Sequence, residues 1–132
     1  MTPKSRWMQK ADSAWYEYQH LVWKRCTICA RRGVEIHHII TKGQKLTAYD
    51  IENGIGLCPD HHRGSDFSAH GTPAKFIIWL AEHRPKQYEY YQVNRNRHGY
   101  SLTIEYYKQA HHRIKELTRR LNEDKNIKTR TQ

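Results

Sequence analysis

Apolar residues recur at helical spacing in three parts of this chain. In each part they follow one another every three or four residues, which places them on one face of an α-helix. The predicted helices lie at residues 5–23, 73–84 and 103–121. Thr72 and Pro73 predict where the second helix begins, because threonine is a favoured N-cap and proline fits the first helical position. A shorter helix, rich in tyrosine, is predicted at 86–93.

Two short segments between the first and second helices have the character of β-strands. Residues 34–40 have a strand pattern with alternating faces, and residues 55–58 form a short, mainly apolar strand. Helices that flank two strands predict an α+β fold. We expect one domain over residues 1–121, with its central motifs at 26–72, and a disordered tail at 122–132.

The composition of the chain favours a small core and a negatively charged partner. Its 132 residues have a mean hydropathy of −0.99, so little apolar surface can be buried and a structural metal would add stability. The formal net charge is +10. Residues 1–33 carry seven Lys and Arg against two Asp and Glu, residues 34–72 carry three against five, and residues 73–132 carry thirteen against six. Such basic flanks could hold phosphates on both sides of a cation site, although basic residues that only solvate helices would give the same pattern.

The sequence also has no feature of a membrane anchor or a secretory leader. Eighteen apolar residues never occur in succession, and residues 1–6 lead into a polar helix without an apolar run. All three cysteines occur at metal-type spacings, which favours zinc over disulfide bonds and a reducing compartment. We expect a soluble cytoplasmic protein without a membrane partner.

Two pairs of metal-binding residues have the spacing of a structural zinc site. Cys26 and Cys29 form one pair, and Cys58 and His61 form the other. Three sulfurs and one imidazole nitrogen are a donor set that tetrahedral zinc accepts. Small buried residues without a metal are the alternative, but two such pairs in a weakly hydrophobic chain favour zinc. His62 competes with His61 for the fourth position, and the spacing favours His61.

A second set of residues has no place in the zinc site. His37 and His38 end the first predicted strand, and Asn53 lies in the connection that follows. His62 is the neighbour of the zinc ligand His61. A histidine doublet at the end of a strand can place one imidazole on a metal and the next on a water molecule. Because architectural zinc needs only four ligands, these residues indicate a second, catalytic centre.

These motifs resemble the HNH endonucleases of the His-Me finger (ββα-metal) superfamily, in their zinc-knuckle variety. The resemblance covers residues 26–62, with a Cys-x-x-Cys, a strand that ends in His-His, an asparagine, and a Leu-Cys-x-x-His-His. It implies a small ββα-metal core with a structural zinc, surrounded by N- and C-terminal helices, and metal-dependent nicking of DNA. By this resemblance His38 is the general base, and Asn53 braces the loop that orients it. His37 and His62 would bind the catalytic divalent metal.

Two positions depart from the usual pattern of this family. His61 stands where cysteine is commoner, which zinc tolerates, and His37 stands where aspartate is commoner, which makes the site softer. Mg²⁺, Mn²⁺, Ni²⁺ and Zn²⁺ all stay open as the catalytic ion. Asp66 and His70 lie four and eight residues after His62, a helical spacing that could bring a third ligand to this ion. A solvated loop ahead of the next helix is the alternative.

A second and looser resemblance is to small phage recombination nucleases of the NinG (Rap) and Ref types. It rests on residues 61–76 and 102–105 and implies recombination or processing of DNA, branched or single-stranded, inside a bacterial host cell. A dimer could cut both strands. Contacts to the DNA backbone are expected from basic residues near the motifs and in a later loop, namely Arg31, Arg32, Lys42, Lys45, Arg95 and Arg97.

Two other functions are compatible with the sequence. A catalytically inactive, zinc-stabilised DNA-binding module would have the fold without the reaction. A basic adaptor that binds another protein through Trp and Tyr surfaces would use the metal only for architecture. The second histidine set favours the nuclease over both, because neither alternative needs it.

Overall fold

The computed structural model describes residues 1–97, 99 and 102–131. Contacts divide the chain into two compact units, Met1–Tyr18 with Ser101–Gln132 and Gln19–Tyr100. The described residues form helices and a two-stranded sheet, joined by turns and loops, so the predicted α+β class is confirmed. That residues 1–121 form one domain stays a prediction.

Five α-helices and two strands occur in the part of the chain that the structure describes. In chain order they are α1 (Pro3–Val22), β1 (Glu35–His38), α2 (Lys45–Ala48), β2 (Gly54–Leu57), α3 (Pro73–His83), α4 (Pro85–Asn94) and α5 (Ile104–Thr131). A 3₁₀ turn at Ile51–Asn53 precedes β2, and a π-helical turn at Asp60–Gly64 follows it. Both strands are present where the sequence predicts them, within a few residues, and α3 begins at Pro73 as predicted.

The register of β1 and β2 decides which side of the sheet each histidine takes. The strands pair antiparallel, with His37 opposite Ile55 and His38 opposite Gly54. Residues opposite each other point to the same face, and neighbours along a strand point to opposite faces. His37 therefore shares the face of Ile55, which is completely buried, and His38 shares the face of Gly54.

The glycines of β2 allow Gln19 and Trp23 of the same unit to approach the sheet closely. A Cβ atom on Gly54 would lie 2.4 Å from the side chain of Gln19, and one on Gly56 would lie 2.5 Å from Cβ of Trp23. Gln19 is buried, and its amide donates to the Ile51 carbonyl and accepts from the Trp23 indole, both at 2.9 Å. These contacts fix the chain against β2 just before the first cysteine pair.

The core of the Gln19–Tyr100 unit includes residues from β2 and α3. Ile55 and Leu57 are completely buried, and they belong to one apolar cluster with Phe76 and Leu80, which lie one turn apart on α3. Burial of each such side chain stabilises the fold by about 1.5–3 kcal/mol. Cys58 belongs to the same cluster, so the second pair of ligands begins inside the core.

α5 is longer than predicted. It continues to Thr131, beyond the end predicted at residue 121 and into the tail for which disorder is expected. Ion pairs at helical spacing support this extension, because Arg119 pairs with Glu116 and Glu123. Gln132, the last residue of that tail, lies outside the described residues.

Candidate metal centres

Cys26, Cys29, Cys58 and His61 lie together in the structure, as their spacing predicts. Their ligand atoms are all within 4.8 Å of one another. The Sγ atoms of Cys29 and Cys58 are 3.7 Å apart, and Nδ1 of His61 lies 3.3 Å from the Cys58 sulfur. Around a tetrahedral zinc with Zn–S bonds of about 2.3 Å, two sulfurs lie roughly 3.8 Å apart. This cysteine cluster could therefore bind a metal such as zinc, with His61 rather than His62 as its fourth member.

The surroundings of the cysteine cluster favour a bound cation. Burial would raise the pKa of the Cys26 thiol, but N–H groups of Cys58, Cys29 and Ile28 outweigh burial and lower that pKa to about 6. Burial raises the pKa of Cys58, and the neighbouring sulfurs of Cys29 and Cys26 raise it further. A negative charge on one thiolate therefore disfavours deprotonation of the neighbouring cysteine, because like charges repel. A cation bound among the sulfurs would offset this repulsion.

A tight turn presents the first cysteine pair to the second. The N–H of Ala30 donates to the Cys26 carbonyl at 2.8 Å, and Ala30 has a positive φ of 63°, as a turn of this kind requires. Thr27 ties the turn to β2, because its N–H and its hydroxyl both donate to the Gly56 carbonyl at 3.0 Å. Since Cys58 directly follows β2, these bonds fix the separation of the two pairs.

His37, His62 and His70 form a second group, the histidine cluster. One ring nitrogen of each lies within 4.8 Å of the others, and the Nε2 atoms of His62 and His70 are 3.1 Å apart. The His37 ring meets both of the other rings edge-on, with centroid distances of 5.2 and 4.8 Å. Three imidazoles suit Zn²⁺ or Ni²⁺ better than Mg²⁺, which prefers oxygen ligands. The donor set therefore fits a borderline transition-metal ion.

Burial lowers the pKa values of two members of the histidine cluster, His37 and His70. It lowers the pKa of His37 to about 3, and the nearby His62 and His70 act in the same direction. Burial also lowers the pKa of His70, together with His62 and Arg63. A neutral imidazole retains the lone pair that a metal ligand needs, so His37 is ready for binding at neutral pH.

A return loop, residues 65–72, brings His70 beside His62. The N–H groups of Ala69 and His70 donate to the carbonyls of His61 and His62, at 2.8 and 2.9 Å. From the sequence, a helical spacing could bring a third ligand to the ion. The return loop is not helical, so helical spacing does not explain why His70 lies beside His62. Hydrogen bonds between distant parts of the loop place His70 there instead.

Asp66 fits the alternative of a solvated loop, whereas Thr72 does not cap α3 as predicted. Asp66 is exposed in the return loop and belongs to neither cluster of described ligands, whereas His70 belongs to one. Thr72 stands at the N-cap position of α3 but, among the described residues, forms no cap hydrogen bond. Its hydroxyl donates to the Ser68 carbonyl and accepts from the Ser68 N–H, both at 3.0 Å. Thr72 therefore closes the return loop instead of capping α3.

Glu35 is a partner of the histidine cluster that none of the sequence motifs includes. Its Oε1 accepts a hydrogen bond from Nδ1 of His62 at 2.7 Å. A carboxylate only accepts, so in the neutral imidazole the proton is on Nδ1 and the lone pair on Nε2, the atom that faces His70. The sequence does contain a signal for this residue. Glu35 lies two positions before His37 and therefore on the same face of β1.

His38 is half-buried, on the opposite face of the strand end from His37. Its Nε2 lies 3.1 Å from the carbonyl oxygen of Ala48, in α2. Because a carbonyl oxygen only accepts, Nε2 carries the proton of the neutral imidazole and Nδ1 has the basic lone pair. An imidazole held in this tautomer can take up a proton at Nδ1.

Asn53 is completely buried and joins the strand end to α2. Its Oδ1 accepts from the N–H of Ile40 at 2.7 Å, and its Nδ2 donates to the carbonyls of Ile40 and Thr47 at 3.0 and 3.1 Å. Thr47 precedes Ala48, whose carbonyl holds His38. Asn53 therefore positions the group that orients the His38 ring.

The basic residues expected to contact DNA are on the surface of the Gln19–Tyr100 unit. Arg31, Arg32, Lys42, Arg95 and Arg97 are exposed, and Lys45 is half-buried. Arg31 pairs with Asp60 at 2.9 Å, so part of its charge is already balanced. Arg63, which no motif singles out, is exposed and close enough to lower the pKa values of His37 and His70. It adds a positive charge beside the histidine cluster.

No protein-family model, curated protein or solved structure matches this chain. Among the described residues, every helix is too short or too polar to cross a membrane. Conclusions about function therefore rest on the two clusters and on the residues that hold them.

Proposed function

We propose that this protein is a metal-dependent endonuclease of the His-Me finger type, which nicks DNA during phage recombination or DNA processing. One observation carries the proposal. At the end of β1, a cluster of three imidazoles lies on one side and the oriented imidazole of His38 on the other. The order of β1, β2 and a helical turn that carries His62 is also the order that a ββα-metal core requires.

The histidine cluster is the proposed site of the catalytic ion. His37, His62 and His70 would hold it, and Glu35 would keep His62 in the tautomer that binds. When bound, such an ion supplies Lewis-acid stabilisation of the negative charge that develops on the phosphate. Three protein ligands leave a position open for substrate, as in catalytic zinc sites, whereas structural sites have four.

His38 is the proposed general base. Its Nδ1 accepts a proton from the water molecule that attacks the phosphorus in line with the leaving oxygen. Because β1 ends at His38 and successive residues of a strand are only about 3.3 Å apart, a phosphate at the strand end is near both faces. General-base catalysis contributes roughly 10²–10⁴-fold to such a reaction.

DNA is the proposed partner for two reasons. The chain has a net charge of +10, which favours a polyanion, and Arg63 lies beside the histidine cluster. Contacts of this kind position the phosphate backbone and do not read sequence. We therefore expect weak sequence preference.

A catalytically inactive, zinc-stabilised DNA-binding module is the second candidate. It is favoured by the cysteine cluster, whose four donors are complete without the histidine cluster. This candidate leaves the Glu35–His62 pair and the oriented His38 without a role.

The deciding experiment compares the protein with its His38→Ala variant on supercoiled plasmid and on branched DNA, in the presence of Mg²⁺, Mn²⁺, Ni²⁺ or Zn²⁺. We expect ion-dependent nicking by the protein and a loss of roughly 10²–10⁴-fold in rate for the variant, with DNA binding unchanged. His20→Ala is the matched control, because His20 is exposed and belongs to neither cluster of described ligands. If His38→Ala nicks DNA as fast as the unaltered protein, His38 is not the general base. If the protein binds DNA but does not cleave it with any of the ions, the second candidate is favoured.

A further inference from the structure

A cleft between α1 and α5, in the unit formed by Met1–Tyr18 and Ser101–Gln132, has no part in the proposed reaction. Its volume is about 330 Å³. Its lining residues include Arg6, Lys10, Glu17, His111 and Lys115, with Ala14 as the one apolar residue type that the described residues contribute. Charged side chains from both helices therefore surround this cleft.

Three cations at or next to the cleft have no carboxylate partner among the residues that the structure describes. Lys115 pairs with Glu17 at 3.5 Å. Arg6, Lys10 and Lys108, in contrast, form no ion pair with any residue that the structure describes. These three side chains therefore carry positive charge that no ion pair with a described residue balances.

Further along α5 the situation is different. Arg119 pairs with Glu116 and Glu123, and Arg120 pairs with Glu116 at 3.3 Å. The same helix therefore carries balanced arginines at one place and an unpaired lysine at another. This contrast supplies a control for experiments on charge.

Trp7 draws two of the unpaired cations together. Nζ of Lys10 lies 4.4 Å from the centre of the indole ring, and Nζ of Lys108, on the other helix, lies 5.4 Å from it. The negative face of an aromatic ring attracts an ammonium group, so both positive charges lie near Trp7. Trp7 therefore concentrates positive charge from both helices at one place.

We propose that this cleft binds the phosphodiester backbone of a nucleic acid. Arg6 and Lys10 are one helical turn apart on α1, and Lys108 and Lys115 are two turns apart on α5. Cations that repeat along two helices suit a chain of repeating negative charges better than a single small anion. This binding surface goes beyond the proposed reaction, and it holds whether or not the histidine cluster cleaves DNA.

The test compares two double variants, both in the His38→Ala background so that the nucleic acid is not cut. Arg6→Gln with Lys10→Gln removes charge at the cleft, and Arg119→Gln with Arg120→Gln removes the same charge where it is already balanced. Affinity for a 20-base-pair duplex is measured by fluorescence anisotropy over a range of salt concentrations. We expect the cleft variant to bind on the order of tenfold more weakly, with a salt slope smaller by about 2, and the control to keep its slope.

Two further measurements keep the result independent of folding. Arg6→Lys with Lys10→Arg keeps the charge and is expected to keep the affinity. In the unaltered protein, bound duplex is expected to protect Lys10 and Lys108 from acetylation, as read by mass spectrometry. Duplex DNA, single-stranded DNA and RNA of one length distinguish the possible sources of the phosphodiester. Equal slopes in the two double variants, unprotected lysines, or equal competition by polyglutamate would each overturn the proposal.

Discussion

The cysteine cluster and the histidine cluster come from the same short stretch of chain but differ in completeness. The cysteine cluster has four donors, at separations close to those of tetrahedral zinc. The histidine cluster has three donors, and one of them, His70, is exposed. Structural zinc sites are closed, whereas catalytic sites keep a position open. We infer that the first cluster serves stability and the second serves chemistry.

The groups that surround and hold the ligands also differ between the two clusters. Backbone N–H groups lower the pKa of Cys26 and so favour the charged thiolate. In the histidine cluster, a side chain, Glu35, holds the Nδ1 proton of His62, and burial keeps His37 neutral. A charged donor set holds its ion tightly, while neutral imidazoles with an open position allow substrate to enter. We therefore expect that substitutions in the cysteine cluster unfold the protein, whereas substitutions in the histidine cluster remove only activity.

The largest effect is expected from Cys58→Ser, which would break the cysteine cluster. A structural zinc contributes about 10–16 kcal/mol, as much as the whole stability of a small domain, which is about 5–15 kcal/mol. We expect loss of cooperative unfolding, measured by circular dichroism on heating, and loss of bound zinc, measured by mass spectrometry. His61→Cys is the control, because it keeps four donors and should keep both properties. Normal melting of Cys58→Ser without zinc would contradict this assignment.

A smaller effect is expected from His70→Ala, which opens the histidine cluster while the fold remains. His70 is exposed, so its removal leaves no large cavity. Affinity for a second divalent ion should fall by on the order of 100-fold or more. Loss of a residue that only hydrogen-bonds to a metal ligand already lowers metal affinity by about 10–100-fold. Asp66→Ala, in the same loop, is the control and should bind that ion normally. Calorimetric titration of the zinc-loaded protein measures both, and the reverse result would make Asp66 the ligand.

The smallest effect is expected from Glu35→Gln, which keeps an acceptor beside His62 but removes its charge. The affinity for the second ion should fall about 10-fold, and about 100-fold in Glu35→Ala, with the melting temperature unchanged. Glu82→Gln, at an exposed position of α3, serves as the control. A purely structural role for Glu35 would instead lower the melting temperature and leave the ion affinity as it is.

Local signals explain what could be predicted from the sequence. The two cysteine pairs, the strand that carries His37 and the start of α3 at Pro73 each depend on residues close together in the chain. Spacing alone therefore places them. The position of Asn53 beside Thr47 and Ile40 also depends on a short connection, which limits where its buried amide can lie.

Non-local hydrogen bonds explain what could not be predicted. His70 reaches His62 through backbone bonds that span the return loop, and no helical period encodes them. The Thr72 hydroxyl could either cap α3 or form hydrogen bonds within the return loop. The sequence alone does not show that it bonds to Ser68 instead of capping the helix. The partnership of Glu35 with His62 crosses from β1 to the π-helical turn, so it depends on how those elements pack.

The π-helical turn has one more consequence. His61 and His62 are joined by a single peptide bond, yet their side chains belong to different clusters. An ion on the cysteine cluster restricts the backbone angles of this turn, so less conformational entropy is lost when the second ion binds. Such coupling is reciprocal, and each ion raises the affinity of the other by the same factor. The two ions are therefore expected to bind with positive cooperativity, and a chelator that removes one weakens the hold on the other.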